Sequence, residues 1–287
     1  MVRCFSTEKP RTITAGHLAM TRGVAPSILY HNALMQILPI PTEILKKGDD
    51  LARILSASIS FKDGDILAVS SKAVATVEGA AIDLSNVTVT PEAEQWAKKC
   101  GKSAAFRQAI LDETKRLHGT VLSGCKVAML TEIKPEGSEG SLLVPNAGLD
   151  QSNIAEGFAI GWPHDPVTSV QSLRKSIEKQ TGKRIAVILT DSCCRPRRWG
   201  VTAFALVVSG FDPLSSQIGK NDLFGNPLTM TVEALADQLA IAANIVMGNA
   251  GQSVPAAVIR DHAVPFSDFE GWIPGITKED DLFAGAF

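Results

Sequence analysis

Two aspartates in this chain of 287 residues have the surroundings that a metal ion bound to phosphate requires. Asp191 and Ser192 stop the apolar run "RIAVILT", which has the composition of a buried strand. Asp150 lies in "VPNAGLDQSN", which packs turn formers and oxygen ligands into a few residues. Mg²⁺ and Mn²⁺ accept such oxygens and keep coordination sites for water and phosphate. Spacing alone therefore allows a metal site formed by the two carboxylates, Asp150 and Asp191.

Three arginines follow the second acid in the turn "CRPRRWG". Because a guanidinium binds phosphate in bidentate fashion, Arg195 and Arg198 are candidate contacts for a phosphate or an anionic acceptor. The alternative is structural, since Asp and Asn cap turns and clustered arginines often form a solvated surface. Spacing does not separate the two interpretations.

Familiar catalytic motifs are missing from the sequence. "CGKS" at 100–103 ends like a P-loop, but Trp96 stands where that motif requires glycine. There is no GxGxxG after a predicted strand and no GxSxG, and the five histidines show no metal-ligand spacing. Five cysteines without a CxxC pair favour a reducing compartment over a disulfide framework or a zinc site.

The predicted elements alternate between helices and strands and place these residues at element ends. "RIAVILT", "TAFALVVSG" and "VPAAVIR" are predicted strands, and the first is apolar on both faces and therefore central in its sheet. A helix is predicted after Asp165, with Pro166 in its first turn and Gly182 at its end. "GDILAVSSKAVATVEG" is predicted to form two strands joined by a turn, which puts Ser71 and Lys72 at a strand end.

One further helix is predicted over 231–247, in "TVEALADQLAIAANIVMG". Its N-terminus near Thr231 offers free N–H groups to an anion, although a simple cap is an equal alternative. Its surface is apolar nearly all round, so we expect it to be buried in the core or at a subunit interface. The whole pattern indicates an α+β fold.

Composition limits the class of protein. A net charge of −2 and 45% hydrophobic residues are typical of a globular protein and predict no nucleic-acid and no membrane partner. We expect a cytoplasmic protein with a basic N-terminal extension (1–34), a main domain (35–265) and a C-terminal tail (266–287). The extension has the composition of a disordered or cloning-derived segment, and also of an organelle-targeting peptide.

In their order along the chain, eight stretches resemble the coenzyme F420-0:L-glutamate ligase family. They are "PIPTEILKKGDDL", "GDILAVSSKAVATVEG", "PNAGLDQSN", "DPVTSVQSLR", "VILTDSCCRPRRWG", "GKNDLFGNPLTMT", "ALADQLAIAANIVMG" and "VPAAVIR". The resemblance covers roughly residues 35 to 260. An ordered set of this kind is far more specific than any single member.

The resemblance implies a fold, a reaction and a set of site residues. The fold would be the mixed α/β fold of these ligases, with two intertwined subregions in a homodimer. GTP would phosphorylate a carboxylate of F420-0, and the amine of L-glutamate would then displace phosphate, with Mg²⁺ or Mn²⁺ and, as a further candidate, K⁺. Metal ligands carry over onto Asp150, Asp191 and Ser192, and nucleotide contacts carry over onto Ile40, Pro41, Thr42, Glu43, Ser71, Lys72, Asn153 and Gln252.

The chain departs from the family pattern near the second acid. Relatives commonly have Gly-Arg-Pro-Trp-Arg where this chain has Cys194, Arg195, Pro196, Arg197 and Arg198. Thr76 and Asp261 stand where a lysine and a glycine are usual. Two alternatives to the F420-0 ligase therefore stay open, which are an amide ligase with a different acidic or phosphorylated acceptor and a GTP-binding homologue without catalysis.

Overall fold

The computed structural model describes residues 34–277 and 279–285, and from Leu34 onward they form one compact unit. The predicted extension lies outside the described residues except for Leu34. The described residues contain six α-helices, which are α1 (Leu51–Ser58), α2 (Ser71–Glu78), α3 (Pro91–Cys100), α4 (Ala104–Arg116), α5 (Pro166–Thr181) and α6 (Leu235–Met247).

Thirteen strands accompany these helices in the described residues. They are β1 (Gln36–Ile40), β2 (Ile66–Ser70), β3 (Ile82–Asp83), β4 (Thr120–Gly124), β5 (Met129–Ile133), β6 (Leu142–Pro145), β7 (Phe158–Ala159), β8 (Ala186–Cys194), β9 (Val201–Ser209), β10 (Ser215–Ser216), β11 (Val232–Glu233), β12 (Ala256–Arg260) and β13 (Glu270–Trp272). The content of helices and strands confirms the α+β class.

Six of the strands form the main sheet, in the order β1-β12-β2-β8-β9-β13. The central pair, β2 and β8, is parallel, and every other neighbouring pair is antiparallel. A smaller antiparallel sheet, β4-β5-β6, carries the chain into the Asp150 loop. Two short pairs, β3 with β7 and β10 with β11, complete the described sheets.

The main sheet is buried on both faces, because successive side chains of a strand point to opposite sides. Leu67 and Val69 of β2 pack in one hydrophobic cluster, together with residues of α1, α4 and α5. Ile66 and Ala68 pack in the other cluster, against α6. β8 shows the same alternation, which confirms the prediction that it is a central strand.

Helix α6 buries one face only. Its buried residues recur at helical spacing and pack on the main sheet, and they are Ala236, Leu239, Ala240, Ala243 and Met247. Ile245, on another face, is 79% exposed. The prediction of an apolar helix is confirmed, but its start is wrong: α6 begins at Leu235, and residues 232–233 belong to β11. The anion site predicted at a helix N-terminus near Thr231 therefore has no helix to support it.

Two further predictions need correction. The second strand predicted in "GDILAVSSKAVATVEG" is helix α2, which ends at Gly79 with a left-handed φ of 75°. The β-branched Val74, Thr76 and Val77 gave the segment its strand-like composition, but burial of consecutive residues Ala73, Val74 and Ala75 fits a helix packed under the sheet edge. Local composition was overridden by tertiary packing.

The other correction concerns where β8 ends. Pairing of β8 with β2 stops at Thr190, but pairing with β9 continues to Cys194. Asp191 therefore lies inside a strand, just past the end of the parallel pair. Part of the predicted C-terminal tail also has regular structure, because β13 pairs with β9 and Trp272 is buried.

The described residues contain no helix with the length and apolar character that a membrane span requires.

Candidate metal and nucleotide site

The parallel pair β2 and β8 brings the predicted site residues together. Ser70 pairs with Thr190 at the last rung of this ladder, so the next residues of both strands emerge at the same edge. On one side the chain turns directly into α2, whose first residues are Ser71 and Lys72. On the other side lies Asp191. Ligands of α/β sheets bind at such carboxyl ends.

Lys72 connects this edge to the Asp150 loop. Its Nζ donates to Asp150 Oδ2 at 2.5 Å and to the Ser152 hydroxyl at 2.9 Å. The Ser152 hydroxyl also donates to the same carboxylate oxygen, and the backbone N–H of Gln151 donates to Oδ1. Burial disfavours the charged form, but the hydrogen bonds from Lys72 and Ser152 and the charge of Lys72 outweigh it and lower the pKa of Asp150 to about 2. Asp150 is therefore a carboxylate at neutral pH.

Three consecutive residues with left-handed backbones shape the loop before Asp150. Asn146, Ala147 and Gly148 have φ values of 55°, 52° and 79°. The side-chain oxygen of Asn146 accepts from Arg107 Nη1 at 3.2 Å and from the backbone N–H of Met129 at 2.9 Å. Arg107 is fully buried in α4. An internal arginine thus fixes a strained turn, and the turn aims Asp150 at Lys72.

Asp191 is held by different donors. Trp162 Nε1 donates to Asp191 Oδ2 at 2.6 Å, and the backbone N–H of Ser192 donates to Oδ1 at 2.8 Å. Burial raises the pKa of Asp191 against the lowering effect of these hydrogen bonds and of Lys72, and the negative charge of Asp150 raises the pKa further. The charges of Lys72 and Asp150 both act on Asp191, as expected of groups that lie near one another.

Ser192 is placed differently from the two aspartates. It follows Asp191 in an extended strand, so its side chain points to the opposite face of β8. A contribution of Ser192 to a metal that Asp191 binds would come from its backbone.

The donor set fits a metal that is shared with a substrate. Within residues 34–277 and 279–285, no three His, Cys, Asp or Glu side chains are grouped closely enough to hold an ion by themselves. Two carboxylates and a hydroxyl, all of them oxygen donors, match the way in which Mg²⁺ binds one or two protein carboxylates and completes its shell with water and phosphate. Asp150 and Asp191 would hold the ion, with Ser152 beside them.

The other predicted nucleotide contacts lie on loops that bond to one another. The backbone N–H of Thr42 donates to Ser253 O at 3.0 Å, and the Ser253 hydroxyl donates back to Thr42 O at 2.8 Å. Asn153 Nδ2 donates to Ala250 O at 3.2 Å. Gln252 Oε1 accepts from the backbone N–H of Ala250. The segments 40–43, 152–153 and 248–253 thus form one continuous rim.

Not every predicted contact on this rim presents its side chain. Pro41 and Glu43 are exposed, whereas Ile40 is 1% exposed and packs in the core. Any contact of Ile40 with a nucleotide would therefore be made by its backbone.

Ser71, near the acids, has a buried hydroxyl without a hydrogen-bond partner among the described residues. Its hydroxyl is fully buried and makes no hydrogen bond within the described part of the chain. It stands in the first turn of α2, where backbone N–H groups have no partners inside the helix. Buried hydroxyls are normally hydrogen-bonded. The free N–H groups at the N-terminus of α2 thus offer donors to a phosphate oxygen, and the Ser71 hydroxyl can join them only where binding opens a path to it.

The predicted arginines stand apart from the acids, at the tip of the β8–β9 hairpin. All residues from Cys194 to Gly200 are exposed. Arg197 has a φ of 55°, and the backbone N–H of Arg198 donates to Arg195 O to close the turn. In the described residues no ion pair engages Arg195 or Arg198. Their charge is therefore available to a ligand.

Two residues of the site were not found from the sequence. Trp162 donates to Asp191, and Arg107 holds the loop of Asp150. A buried tryptophan needs a partner for its indole N–H, and a buried arginine needs acceptors. Had burial of these two residues been known, a hydrogen-bond partner could have been predicted for each. Their burial, however, was not evident from local sequence.

A separate cleft of about 330 Å³ is lined by residues that include His118, Glu132 and Thr277. None of its lining residues is a predicted site residue. We place the candidate site at the acids, because the carboxylates, the lysine and the buried hydroxyl lie there.

Comparison with known proteins identifies the family of the chain. The sequence profile of the F420-0:Gamma-glutamyl ligase family matches residues 39–261. A relative named coenzyme F420:L-glutamate ligase in Methanocaldococcus jannaschii is 37% identical over 250 residues, which cover 87% of this chain and 96% of the relative.

Two further relatives carry the same name. The one from Archaeoglobus fulgidus is 38% identical, with 79% of this chain and 88% of the relative covered. The one from Methanopyrus kandleri is 34% identical, with 83% and 91% covered. The chain therefore belongs to the F420-0:gamma-glutamyl ligase family and is an amide-forming ligase.

Proposed function

We propose that this enzyme joins L-glutamate to coenzyme F420-0 through a γ-glutamyl amide bond, with GTP and Mg²⁺ or Mn²⁺, through an acyl phosphate. The observation that carries the proposal is that Asp191 follows the last rung of the parallel pair, while Lys72 beside it bonds to Asp150 and segment 160–162 bonds to both acids. The family match and the names of the relatives support glutamate and F420-0 as substrates. The N-terminus of α2 beside Lys72 supports a phosphate ligand.

A bound divalent cation would neutralise phosphate charge and orient the transferred phosphoryl group. Asp150 and Asp191 supply its anionic ligands. Asp150 is ionised at neutral pH, and Asp191 gains compensation from Lys72 and from two neutral donors. K⁺ as a second cation is a further candidate that the described oxygen donors do not distinguish.

The phosphates of the nucleotide would lie against α2. The first N–H groups of this helix donate to phosphate oxygens, as helix N-termini do in other nucleotide sites. Lys72 stands next to them and carries the positive charge. The rim of 40–43, Asn153 and 248–253 would enclose the rest of the nucleotide, with Thr42, Glu43 and Gln252 within its two main segments.

The chemistry then has two balanced steps. A carboxylate oxygen of the acceptor attacks the γ-phosphorus of GTP, the bond to the β-phosphate oxygen breaks, and GDP leaves. The amine of L-glutamate attacks the acyl carbon, loses a proton, and expels inorganic phosphate. Both steps depend on positioning and on compensation of negative charge, and these are what the acids, Lys72 and the arginine turn provide.

The direct test is to incubate the enzyme with GTP, Mn²⁺, L-glutamate and F420-0 and to look for glutamylated product by mass spectrometry. We expect glutamyl addition that chelator abolishes. Product that forms equally well without a divalent cation would refute the metal part of the proposal. Failure to glutamylate any acceptor, with GTP binding intact, would favour the non-catalytic homologue.

Asp191→Asn tests the metal site within the same assay. The amide keeps the size of the side chain but lacks its charge, so we expect Mn²⁺-dependent GTP binding to weaken by more than about 100-fold while the fold is kept. Asp63→Asn is the matched control, because Asp63 is an exposed acid paired with Lys183. Normal metal and GTP binding by Asp191→Asn would show that Asp191 is not a ligand.

The arginine turn favours a second candidate, an amide ligase with a different anionic acceptor. Arg195, Arg197 and Arg198 are exposed at the tip of a hairpin, and Trp199 beside them is fully exposed. Such a surface suits a phosphorylated or acidic acceptor with an aromatic group. Direct competition between F420-0 and other acidic acceptors decides between the two candidates, since the preferred acceptor suppresses glutamylation of the other.

We also propose that the enzyme is a homodimer. Large apolar side chains are exposed on the β10–β11 arm, on the hairpin tip and on α6, and they include Leu223, Phe224, Trp199 and Ile245. Surfaces of this kind commonly mark protein interfaces. Light scattering coupled to size exclusion gives the mass directly, and a monomer at micromolar concentration would refute the proposal.

A further inference from the structure

Trp162 contacts both parts of the candidate site, although nothing in its sequence motif suggested a role. The residue is 4% exposed, and its indole N–H donates to Asp191 Oδ2 at 2.6 Å. A neutral donor that holds one carboxylate oxygen fixes the rotation of that carboxylate. The other oxygen, Oδ1, accepts from the backbone N–H of Ser192.

The same segment is bonded to the backbone of Asp150. Two residues before Trp162, Ile160 exchanges a reciprocal pair of hydrogen bonds with Asp150, at 2.8 and 2.9 Å. These bonds fix the position of the Asp150 backbone relative to the chain that bears the indole. Asp150 and Asp191 are 41 residues apart in sequence. Segment 160–162 connects them, because Ile160 bonds to Asp150 and Trp162 bonds to Asp191.

Packing of the indole ring reinforces the connection. Gly148, two residues before Asp150, lies so close that an added Cβ would be 2.8 Å from Trp162 Cε2 and Nε1. On the main sheet, Trp272 packs against the Trp162 ring with centroids 6.0 Å apart. The ring therefore sits between the Asp150 loop and the body of the protein and has little freedom to move.

We propose that Trp162 is a positioning residue, which sets the distance and relative orientation of the two carboxylates that would receive the divalent cation. This inference rests on the proposed metal site and deepens it. Groups that orient a ligand without touching the metal typically change metal affinity 10- to 100-fold when they are removed. Trp162 would act in this way through Asp191 while fixing the Asp150 loop by contact.

The test compares Trp162→Phe with Trp272→Phe in the full chain. Both variants lose an indole from the same aromatic contact, but only the first loses the donor to Asp191. Because the ion is shared with the nucleotide, Mn²⁺ affinity is measured as the Mn²⁺ concentration that GTP binding requires, by calorimetry, and thermal unfolding is measured in parallel. We expect Trp162→Phe to weaken Mn²⁺ binding about tenfold, with Trp272→Phe close to wild type. In the ligation assay, excess Mn²⁺ should restore the activity of Trp162→Phe.

A metal-free readout separates this inference from the proposed function. In EDTA, Trp162→Phe and Asp191→Ala each lower the unfolding temperature. The double variant should lower it by about 3 °C less than the sum of the two single shifts, because each change removes the same hydrogen bond. If Asp191→Ala is not folded, Asp191→Leu, which is similar in size and has no acceptor, replaces it in the cycle. Wild-type protein whose GTP binding does not depend on Mn²⁺ would refute the proposed metal site, while the cycle still decides whether Trp162 holds Asp191.

Two results would overturn the inference. One is unchanged Mn²⁺ affinity in Trp162→Phe with a thermal shift like that of Trp272→Phe, which would make Trp162 a packing residue only. The other is additivity of the two changes in EDTA, which would show that the indole does not hold Asp191.

Discussion

Strand β2 carries an ion pair at each of its ends, and the two pairs are built differently. At its start, Asp65 accepts from Arg260 Nε at 2.8 Å and from Nη2 at 2.7 Å, and the side chains are 1% and 11% exposed. At its far end, Lys72 meets Asp150 through one ammonium group, and the side chains are 24% and 49% exposed.

The difference lies in what remains available to a ligand. The Asp65 carboxylate is closed off from solvent and from any ligand, and Oδ2 also accepts from the backbone N–H of Lys62, while Arg260 donates further to Ser60 O. The Lys72–Asp150 pair is half-open to solvent and lies opposite a second carboxylate. A buried, bidentate pair fixes a fold, whereas an accessible pair beside another acid can exchange partners with a substrate.

Removing Arg260 should have the largest effect on stability. Arg260→Met leaves a buried Asp65 carboxylate without its cation, so we expect a loss of about 3–5 kcal/mol in the free energy of unfolding. Chemical denaturation measures it. Lys183→Met removes the exposed partner of Asp63 and should change stability by less than about 0.5 kcal/mol. A loss below about 1 kcal/mol in Arg260→Met would mean that the two ends of β2 do not differ as described.

Gly148→Ala tests whether the backbone of the Asp150 loop, rather than the Lys72–Asp150 ion pair, holds Asp150 in place. The residue has a φ of 79°, and the new Cβ would strike the Trp162 ring. We expect a loss of about 2–4 kcal/mol from strain and overpacking together.

Gly157→Ala is the control for Gly148→Ala. Its φ is 84°, but nothing lies within 4 Å of an added Cβ, so backbone strain of about 1 kcal/mol should act alone. Denaturant unfolding of both variants gives the difference. Equal losses would show that the contact between Gly148 and Trp162 contributes nothing to the loop.

Lys72→Met should affect ligation more than stability, the reverse of what we expect for Arg260→Met. Because the pair with Asp150 is partly exposed, we expect the free energy of unfolding to fall by less than about 1 kcal/mol. Glutamate ligation should fall by more than about tenfold, since one charge-assisted phosphate contact is lost. Steady-state kinetics and denaturation on the same preparation measure both effects. Normal ligation by this variant would show that Lys72 takes no part in the site.

His262, near the Asp65–Arg260 ion pair, should have the smallest effect on stability, seen as a dependence of stability on pH. Burial lowers its pKa, and its Nδ1 accepts from the backbone N–H of Val264 while Nε2 donates to Gly64 O. The unfolded chain then binds a proton before the folded protein does. Stability should therefore decrease as the pH falls below about 6.5, the ordinary histidine value, and level off below the lowered pKa.

His262→Gln measures that contribution by difference. The glutamine does not titrate, so this part of the pH dependence should vanish when unfolding is followed between pH 7.5 and 5. A variant with the wild-type pH profile would place the titration on another group.

Sequence patterns predicted the parts of the fold where local signals and burial agree. The caps Asp165 and Gly182 mark α5, and β8, whose first four residues are apolar and buried, is central as expected. Helix α2 was missed because Val74, Thr76 and Val77 favour a strand in isolation, and packing beneath the sheet edge decides otherwise. Secondary structure that depends on a distant partner surface is not readable from a short window.

The same distinction holds for the site. Asp150 and Asp191 were identified by residue type and by resemblance to a family. The contacts that hold them were not, because Trp162 and Asp191 are separated by 29 residues and Arg107 and Asn146 by 39. Hydrogen bonds of that range are set by the fold as a whole, so no motif around either residue specifies them.

The extension of β8 past the parallel pair has a consequence for how such an enzyme diversifies. Four residues, Asp191–Cys194, continue only against β9, so the arginine turn stands roughly 13 Å beyond the last rung with β2. A turn on a two-stranded ribbon can accept substitution without disturbing the layers beneath it. On the proposal that this turn contacts the acceptor, selection can alter the acceptor while Asp150 and Asp191 stay unchanged. A laboratory library confined to 195–200 would then test new acceptors with both acids held constant.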